Sequence, residues 1–465
     1  MGFTFRRGTR ALALSAAAGT LLLVGPALPA TAQTSDEPPP LNPAERTGDG
    51  PLGPIPYPQQ QGCMRGSPGG SVEEKSWAQR VLGFERAHEQ GLTGSGTKVA
   101  VIDTGVNEHP LLPRVQDGSS SVPKGGALED CDGHGTIVAG IIGAQQDSTS
   151  GNIGIAPDTE ILSIRQSSSL FVDEETNQPI GNTQTMAQSI NRAVTMGADV
   201  VNISQSSCQE IARASNPADS GNQQLHNAVR DAHEQGVVVV AAAGNTEDAC
   251  QQNAAGSPST AVLPAWFDDY VLTVAATNEK GAPSEFSVAG PWVDVAAPGE
   301  NLTTVDPGSG GTGLATQIAT GEQGEMSPIQ GTSFAAPYVS GLAALIKQKA
   351  ERDGAPLDAE QIMERIKKTS LPPGGINGEN NVVGAGMIDP EAALGDVVPA
   401  EHGVAEAPPQ PKPLRADVIP QPDYPALIVA IGGTGAGIAA IVFIAFLVNA
   451  MRNIRRRAAG GGSDS

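Results

Sequence analysis

Hydrophobic positions along the chain fall into short unbroken runs separated by stretches of helical period. Lys98–Asp103 is an apolar run that ends at a carboxylate, and similar runs occur at Glu160–Arg165, Asp199–Ser204, Val237–Ala243, Val271–Ala276 and Val293–Ala296. A run such as Val237-Val238-Val239-Val240 has no polar alternate, so it suits a strand buried on both faces. Helical spacing predicts helices over Gly135–Gly143, Gln184–Met196, Gln223–Gln235, Thr332–Lys349 and Asp358–Lys368. Gly197 and Gly236 stop two of them, and Asp358 is the N-cap of the last. Strand and helix alternate from about Ser71 to Gly395. The fold class expected from this is α/β, a doubly wound parallel sheet with helices on both faces.

The two ends read differently. Arg6, Arg7 and Arg10 precede an apolar run from Ala11 to Val24, and Ala30-Thr31-Ala32 stands before Gln33, so residues 1–32 read as a secretory signal peptide. Residues 33–80 form an N-terminal extension. From Gln33 to about Gly70 it is rich in Pro, Gln and Gly and too poor in apolar residues to build a core of its own. It is expected to wrap the body as coil and stay attached; a zymogen segment cut before Val81 is the alternative. The body occupies 81–395. A Pro-rich stretch, 396–425, reads as a semi-rigid stalk. Ala426–Val448 carries no charge and is long enough for a transmembrane helix with some tilt. Arg452, Arg455, Arg456 and Arg457 follow in a short tail, 449–465. Positive charge on that side orients the chain as a single-pass type I protein of the cell membrane, with an extracytoplasmic body and a cytoplasmic tail.

Charge agrees with export. The chain has 28 Lys+Arg against 50 Asp+Glu, a net charge of −22, with the basic residues concentrated toward both ends. An acidic body has no surface for phosphate contacts, so nucleic acid is excluded as a partner. Cys63, Cys131, Cys208 and Cys250 fit an oxidising compartment and allow three pairings. They lack the paired Cys-x-x-Cys spacing of a zinc site, so no metal or cofactor is expected. His226 and His233 fall on a helix without a ligand partner in sequence and read as solvent-facing.

Candidate chemistry lies in three motifs. Val99-Ala100-Val101-Ile102-Asp103-Thr104-Gly105 delivers a carboxylate at the C-terminal edge of a buried strand, where open α/β sheets place their sites. Asp132-Gly133-His134-Gly135-Thr136 sets a histidine between glycines at a helix start. Gly331-Thr332-Ser333-Phe334-Ala335-Ala336-Pro337 puts a serine in the first helical turn, where unpaired N–H groups can face a developing oxyanion. Singly these are a turn residue, a structural histidine and an N-cap. Together, in the order Asp, His, Ser, they read as the charge-relay set of one of the unrelated serine-protease folds.

With these motifs, Val138-Ala139-Gly140, and Ala243-Gly244-Asn245 between them, the body resembles the subtilisin (subtilase) family of serine proteases over about Lys98 to Leu394. The whole chain is similar to the mycosins, membrane-anchored subtilases of actinobacterial type VII secretion. It shares with them a signal peptide, a Cys-bearing extension, Asp103-Thr104-Gly105-Val106-Asn107-Glu108-His109-Pro110, a Pro-rich stalk and a C-terminal span. The resemblance implies Ser333 as nucleophile, His134 as base, Asp103 as its orienting carboxylate and Asn245 as oxyanion donor. It implies substrate contacts at Ser204, Gln205, Ser206, Ala243 and Gly244, and disulfides Cys208–Cys250 and Cys63–Cys131. The implied function is a narrow-specificity endopeptidase acting on exported proteins or peptides, with a type VII secretion membrane complex as partner. A mainly non-catalytic scaffold, or a general surface subtilase, is the alternative. Three departures stand out. Ile137 replaces a second histidine, and Phe334 replaces a methionine and is expected to crowd the leaving-group side. Ser204-Gln205-Ser206-Ser207 replaces Ser-Leu-Gly-Gly and narrows the approach of a peptide strand. Loops at Gln166–Gln184 and Thr304–Gln330 are expected to rim or cover the cleft.

Overall fold

The structure, a computed structural model, describes residues 37–66, 72–247, 250–320, 325–373, 378–402 and 441–455. The expected signal peptide lies outside the described residues, as do most of the expected stalk and the first part of the expected transmembrane helix. The chain divides into two units, Met1–Glu401 and His402–Ser465.

The first unit is built on seven parallel strands: β1 (Lys98–Asp103), β2 (Val115–Ser120), β3 (Glu160–Arg165), β4 (Val200–Ile203), β5 (Val238–Ala242), β6 (Val271–Thr277) and β7 (Val295–Pro298). Their order in the sheet is β7-β6-β5-β4-β1-β3-β2. Alternate residues of each central strand enter opposite cores, as strand geometry requires. Val99, Val101, Val200, Val238 and Val240 pack with Ile137, Val138, Leu342 and Leu345. These last four come from helices α3 (His134–Gly143) and α7 (Thr332–Arg352). Ala100, Ile102, Val201, Ile203, Val239 and Ala241 face the other way, onto Met186, Ile190, Leu225 and Val229. Those belong to α4 (Thr183–Thr195) and α6 (Ser220–Glu234). The unbroken apolar runs follow from this double burial. The remaining α-helices of this unit among the described residues are α1 (Trp77–Leu82), α2 (Glu85–Glu89), α5 (Ile211–Ala214), α8 (Ala359–Thr369) and α9 (Pro390–Gly395). Asp358 caps α8 in a capping box with Gln361.

Edge strand β2 has the sequence Val-Gln-Asp-Gly-Ser-Ser and escapes the apolar pattern because one of its sides has no strand neighbour. A Cβ at Gly118 would stand 2.7 Å from the Ser163 carbonyl, so glycine sits where the register slips between Asp117 and Ser119.

Residues 37–66 run over the body as coil. Asn227 Nδ2 donates to the carbonyls of Asn42 and Glu45 at 2.9 and 2.8 Å, and Arg46 pairs with Asp231. Ile55 N–H donates to Ser121 at 2.8 Å, and Gln60 N–H to Leu170 at 2.8 Å. Cys63 is bonded to Cys131 and Cys208 to Cys250, the pairings expected from the resemblance. With sequence separations of 68 and 42 for the bonded cysteines, chain-entropy arguments assign roughly 4 kcal/mol to each.

Several boundaries and assignments move. The body begins earlier than residue 81, because Ser76 caps α1, which crosses that point. Residues past Asp396, where the stalk was expected to begin, still pack on the body: Val398 is buried, and Arg365 donates to the Ala393 and Asp396 carbonyls and to Glu401. His226 is not solvent-facing. It is 7% exposed and stacks on Phe267 with ring centroids 4.3 Å apart. Burial, with the Arg230 charge, pushes its pKa down to about 4. His233 lies 3.3 Å from Glu360.

In the second unit, 441–455 is helical with exposed apolar side chains such as Ile441, Phe443 and Phe446. Among the described residues no helix is long and apolar enough to cross a membrane.

Candidate active site

β1 carries Asp103 to the C-terminal edge of the sheet, where it is fully buried. The chain returns through Asp130–Gly133 and starts α3 at His134. Gly133 adopts φ 80°, and a Cβ there would stand 2.7 Å from Met64 Sδ of the extension, so the turn accepts only glycine. His134 Nδ1 lies 2.7 Å from Asp103 Oδ1. Burial opposes the charged imidazolium, but the charge and hydrogen bond of Asp103, with Asp130 and Asp132 behind it, outweigh that cost and raise the His134 pKa. The imidazole is one-quarter exposed, so its outer edge remains accessible.

Ser333 is the second residue of α7, and Gly331 precedes the helix with φ 151°. A Cβ on Gly331 would come within 2.9 Å of Ser333 Oγ and 3.4 Å of Asn245 Nδ2, which places those two groups around the same point. Asn245 follows β5. Its Oδ1 accepts from Thr332 N–H at 2.9 Å and from the Thr332 hydroxyl at 3.0 Å. The amide is thereby turned so that Nδ2 is left as a donor toward the Ser333 side. Among the described residues no hydrogen bond joins Ser333 Oγ to His134; in the absence of substrate such bonds are commonly long. Phe334 is 3% exposed and packs on the His134 ring, centroids 4.8 Å apart.

The expected substrate residues separate into two sets. Ser204 is buried, and its hydroxyl donates to the Ser333 carbonyl at 2.6 Å while accepting from Asn202 Nδ2 at 2.9 Å. Asn202 Oδ1 in turn accepts from the Ser340 hydroxyl at 2.8 Å, so these side chains hold α7 to β4. Ala243 is fully buried, and the Gly244 carbonyl accepts from Val288 N–H at 3.0 Å. Gln205 and Ser206 do reach open space, lining a cleft of about 210 Å³ with Pro179, Ile180, Met186 and Leu263. The Gln166–Gln184 loop supplies part of that rim through the hairpin Ser168–Val172 and Pro179–Ile180. Asp132 secures the hairpin, accepting from the Ser168 hydroxyl at 2.6 Å and Ser169 N–H at 2.8 Å. The Thr304–Gln330 loop includes the hairpin Gln317–Thr320 and Glu325–Pro328, just before Gly331.

Sequence reasoning missed Asp130, Thr104, Asn202 and Thr332, all of them buried or partly buried partners of the central residues. Their only signal is proximity: Thr104, Asp130 and Thr332 each lie close in sequence to Asp103, His134 or Ser333.

A buried Asp–His pair, a serine at a helix N-terminus and an amide donor beside it, all at the C-terminal edge of a parallel sheet, define a serine protease of the α/β type. The Subtilase family profile matches residues 94–386. Mycosin-1 of Mycolicibacterium smegmatis is 40% identical over 77% of this chain and 79% of its own length. The crystal structure of MycP1 from the ESX-1 type VII secretion system matches with TM-score 0.70 and 37% identity, covering 80% of this chain and 98% of that one. A chain in the structure of an intact ESX-5 inner membrane complex matches with TM-score 0.70 and 35% identity, over 90% of this chain and all of that one. The chain belongs to the subtilase family of serine proteases and, within it, to the mycosins.

Proposed function

We propose that the protein is a membrane-anchored serine endopeptidase of narrow specificity that acts on exported proteins beside a type VII secretion membrane complex. The observation that carries the reading is the 2.7 Å Asp103–His134 contact with Asn245 and Ser333 arranged around one point. In the proposed reaction Ser333 Oγ attacks the scissile carbonyl and His134 takes its proton. Asp103 holds the other imidazole nitrogen and stabilises the imidazolium. Asn245 Nδ2 and the Ser333 N–H receive the oxyanion. His134 then protonates the leaving amine, and water repeats the sequence on the acyl-enzyme. Narrow specificity is supported by the small cleft beside Gln205 and Ser206, whose lining includes Ile180, Met186 and Leu263 and suits one medium-sized side chain.

Anchoring is supported by the signal-like N-terminus, the uncharged Ala426–Val448 run and the arginines that follow it. Partnership with a secretion complex is supported by the similarity to a chain of the ESX-5 inner membrane complex, which also favours a scaffold role alongside catalysis. One experiment addresses both. Full-length wild-type and Ser333→Ala proteins are purified from membranes, treated with a fluorophosphonate probe, and their co-purifying partners and the secreted proteome identified. The expected result is labelling of wild type only, partners retained by both, and unprocessed secreted proteins in the Ser333→Ala strain. A folded wild-type protein that resists the probe but keeps its partners would leave only the scaffold role.

A further inference from the structure

Behind the Asp103–His134 pair lies a second carboxylate that peptide-bond chemistry does not require. Asp130 is 1% exposed. Its Oδ1 accepts from the Thr104 hydroxyl at 2.9 Å and Gly133 N–H at 2.8 Å. Its Oδ2 accepts from Thr136 N–H at 2.8 Å and the Thr136 hydroxyl at 2.7 Å. Asn107 clamps its backbone, donating from Nδ2 to the Asp130 carbonyl at 2.8 Å and accepting from Asp130 N–H at 2.9 Å.

Thr104 is the informative partner. A hydroxyl has a single proton to donate, yet two carboxylates lie within its reach, Asp130 Oδ1 at 2.9 Å and Asp103 Oδ1 at 3.2 Å. The same hydroxyl oxygen accepts from Gly135 N–H at 3.0 Å. One atom therefore joins the triad carboxylate, the backbone next to His134 and the second carboxylate. The shorter contact favours Asp130. Asp103 Oδ1 already receives His134 Nδ1 at 2.7 Å and Thr104 N–H at 2.8 Å.

We infer that Thr104 and Asp130 are positioning residues of the catalytic centre, Asp130 drawing the Thr104 hydroxyl away from Asp103 so that the charge of Asp103 is directed at His134. This rests on the peptidase reading above. It also has an electrostatic consequence. The charged groups facing His134 are Asp103, Asp130 and Asp132; those facing Asp130 include Asp103 and the buried Arg165 of β3. Burial pushes the Asp130 pKa up to about 6, so above that pH replacing Asp130 by Asn removes one negative charge near His134 at nearly constant volume. The imidazolium then forms at lower pH, and because neutral His134 is the reactive form, activity persists further into acid.

The test uses the full-length chain solubilised in detergent and the rate at which a fluorophosphonate labels Ser333 between about pH 5 and 9, a range that brackets imidazole titration. Thr104→Val is expected to label roughly tenfold slower than wild type or worse, and Thr104→Ser, which keeps the hydroxyl, within about twofold. Asp130→Asn is expected to move the acid limb of the profile down by about half a pH unit or more. Wild-type rates and an unmoved acid limb in Thr104→Val, or an unmoved limb in folded Asp130→Asn, overturn the proposal even if melting temperatures fall. Should Asp130→Asn fail to fold, the Thr104 pair decides it alone. Failure of the wild type to label at any pH would instead sink the peptidase reading itself, so the two failures are distinguishable.

Discussion

The two ends of the parallel sheet make opposite use of charge. At the N-terminal end of the strands an open groove of about 620 Å³ is lined by Lys98, Arg114, Asp158, Glu160 and Asp199. Its charges pair off in solvent reach: Lys98–Glu160 at 3.4 Å, Arg114–Asp158 at 3.1 Å, and Asp199 with Lys347 at 3.2 Å. At the C-terminal end the cleft is about 210 Å³, yet Asp103 beside it is fully buried and bonded to His134. Size therefore does not locate the chemistry. A charge that has lost its water and been given fixed partners does, because buried charges interact more strongly than solvated ones. The C-terminal end can do this because strand termini and the first turns of α3 and α7 converge on it, offering unpaired N–H groups and buried side chains together.

That contrast can be broken in four ways, in descending order of expected effect. Ser333→Ala or His134→Ala is expected to lower hydrolysis by roughly 10⁶-fold, a figure that comes from subtilisin itself, while the melting temperature stays near that of wild type. Asn245→Ala is expected to cost roughly 10²–10³ in kcat, again a subtilisin value, with little change in KM; equal losses in kcat and 1/KM would make Asn245 a binding residue. The third concerns stability away from either end. The folded pKa of His226 is lowered from 6.5 to about 4, so below pH 6.5 the unfolded chain binds the extra proton. Stability should fall with acid across that window, and His226→Gln should flatten the fall in melting temperature measured over the same range. The smallest effect belongs to the groove. Arg114→Ala removes an exposed pair and should change stability by less than about 1 kcal/mol and leave hydrolysis unchanged. A loss of activity rivalling that of Asn245→Ala would overturn the assignment of function to one end of the sheet.

Much of this was legible along the chain. The central strands and long helices emerge from local patterning, because burial on both faces leaves an unbroken apolar run and burial on one face leaves a helical period. Asp103, His134, Asn245 and Ser333 were legible because each sits in a glycine-bearing turn next to a regular element, a local arrangement that the order of motifs makes specific. The cysteine pairing followed from the resemblance rather than from the residues. Edge strand β2 was not legible, since a strand with one open side can carry polar residues throughout. Nor was the burial of His226, which depends on Phe267 and Tyr270 arriving from distant segments.

The sequence by itself determined the central strands and long helices, the order Asp, His, Ser, and the coil of the extension seen over residues 37–66. Each of these depends on neighbours in the chain. Only the tertiary structure decided that the Ser204 hydroxyl bonds the Ser333 carbonyl, that Phe334 packs on His134, and that the extension crosses the hairpin beside the cleft before closing on Cys131. It alone revealed that the Thr104 hydroxyl stands between two carboxylates. These depend on pairs brought together by folding, where a hydrogen bond of 2.6 Å or a ring contact of 4.8 Å joins positions separated by a hundred residues or more. Local pattern records which residues are buried; it does not record what they are buried against.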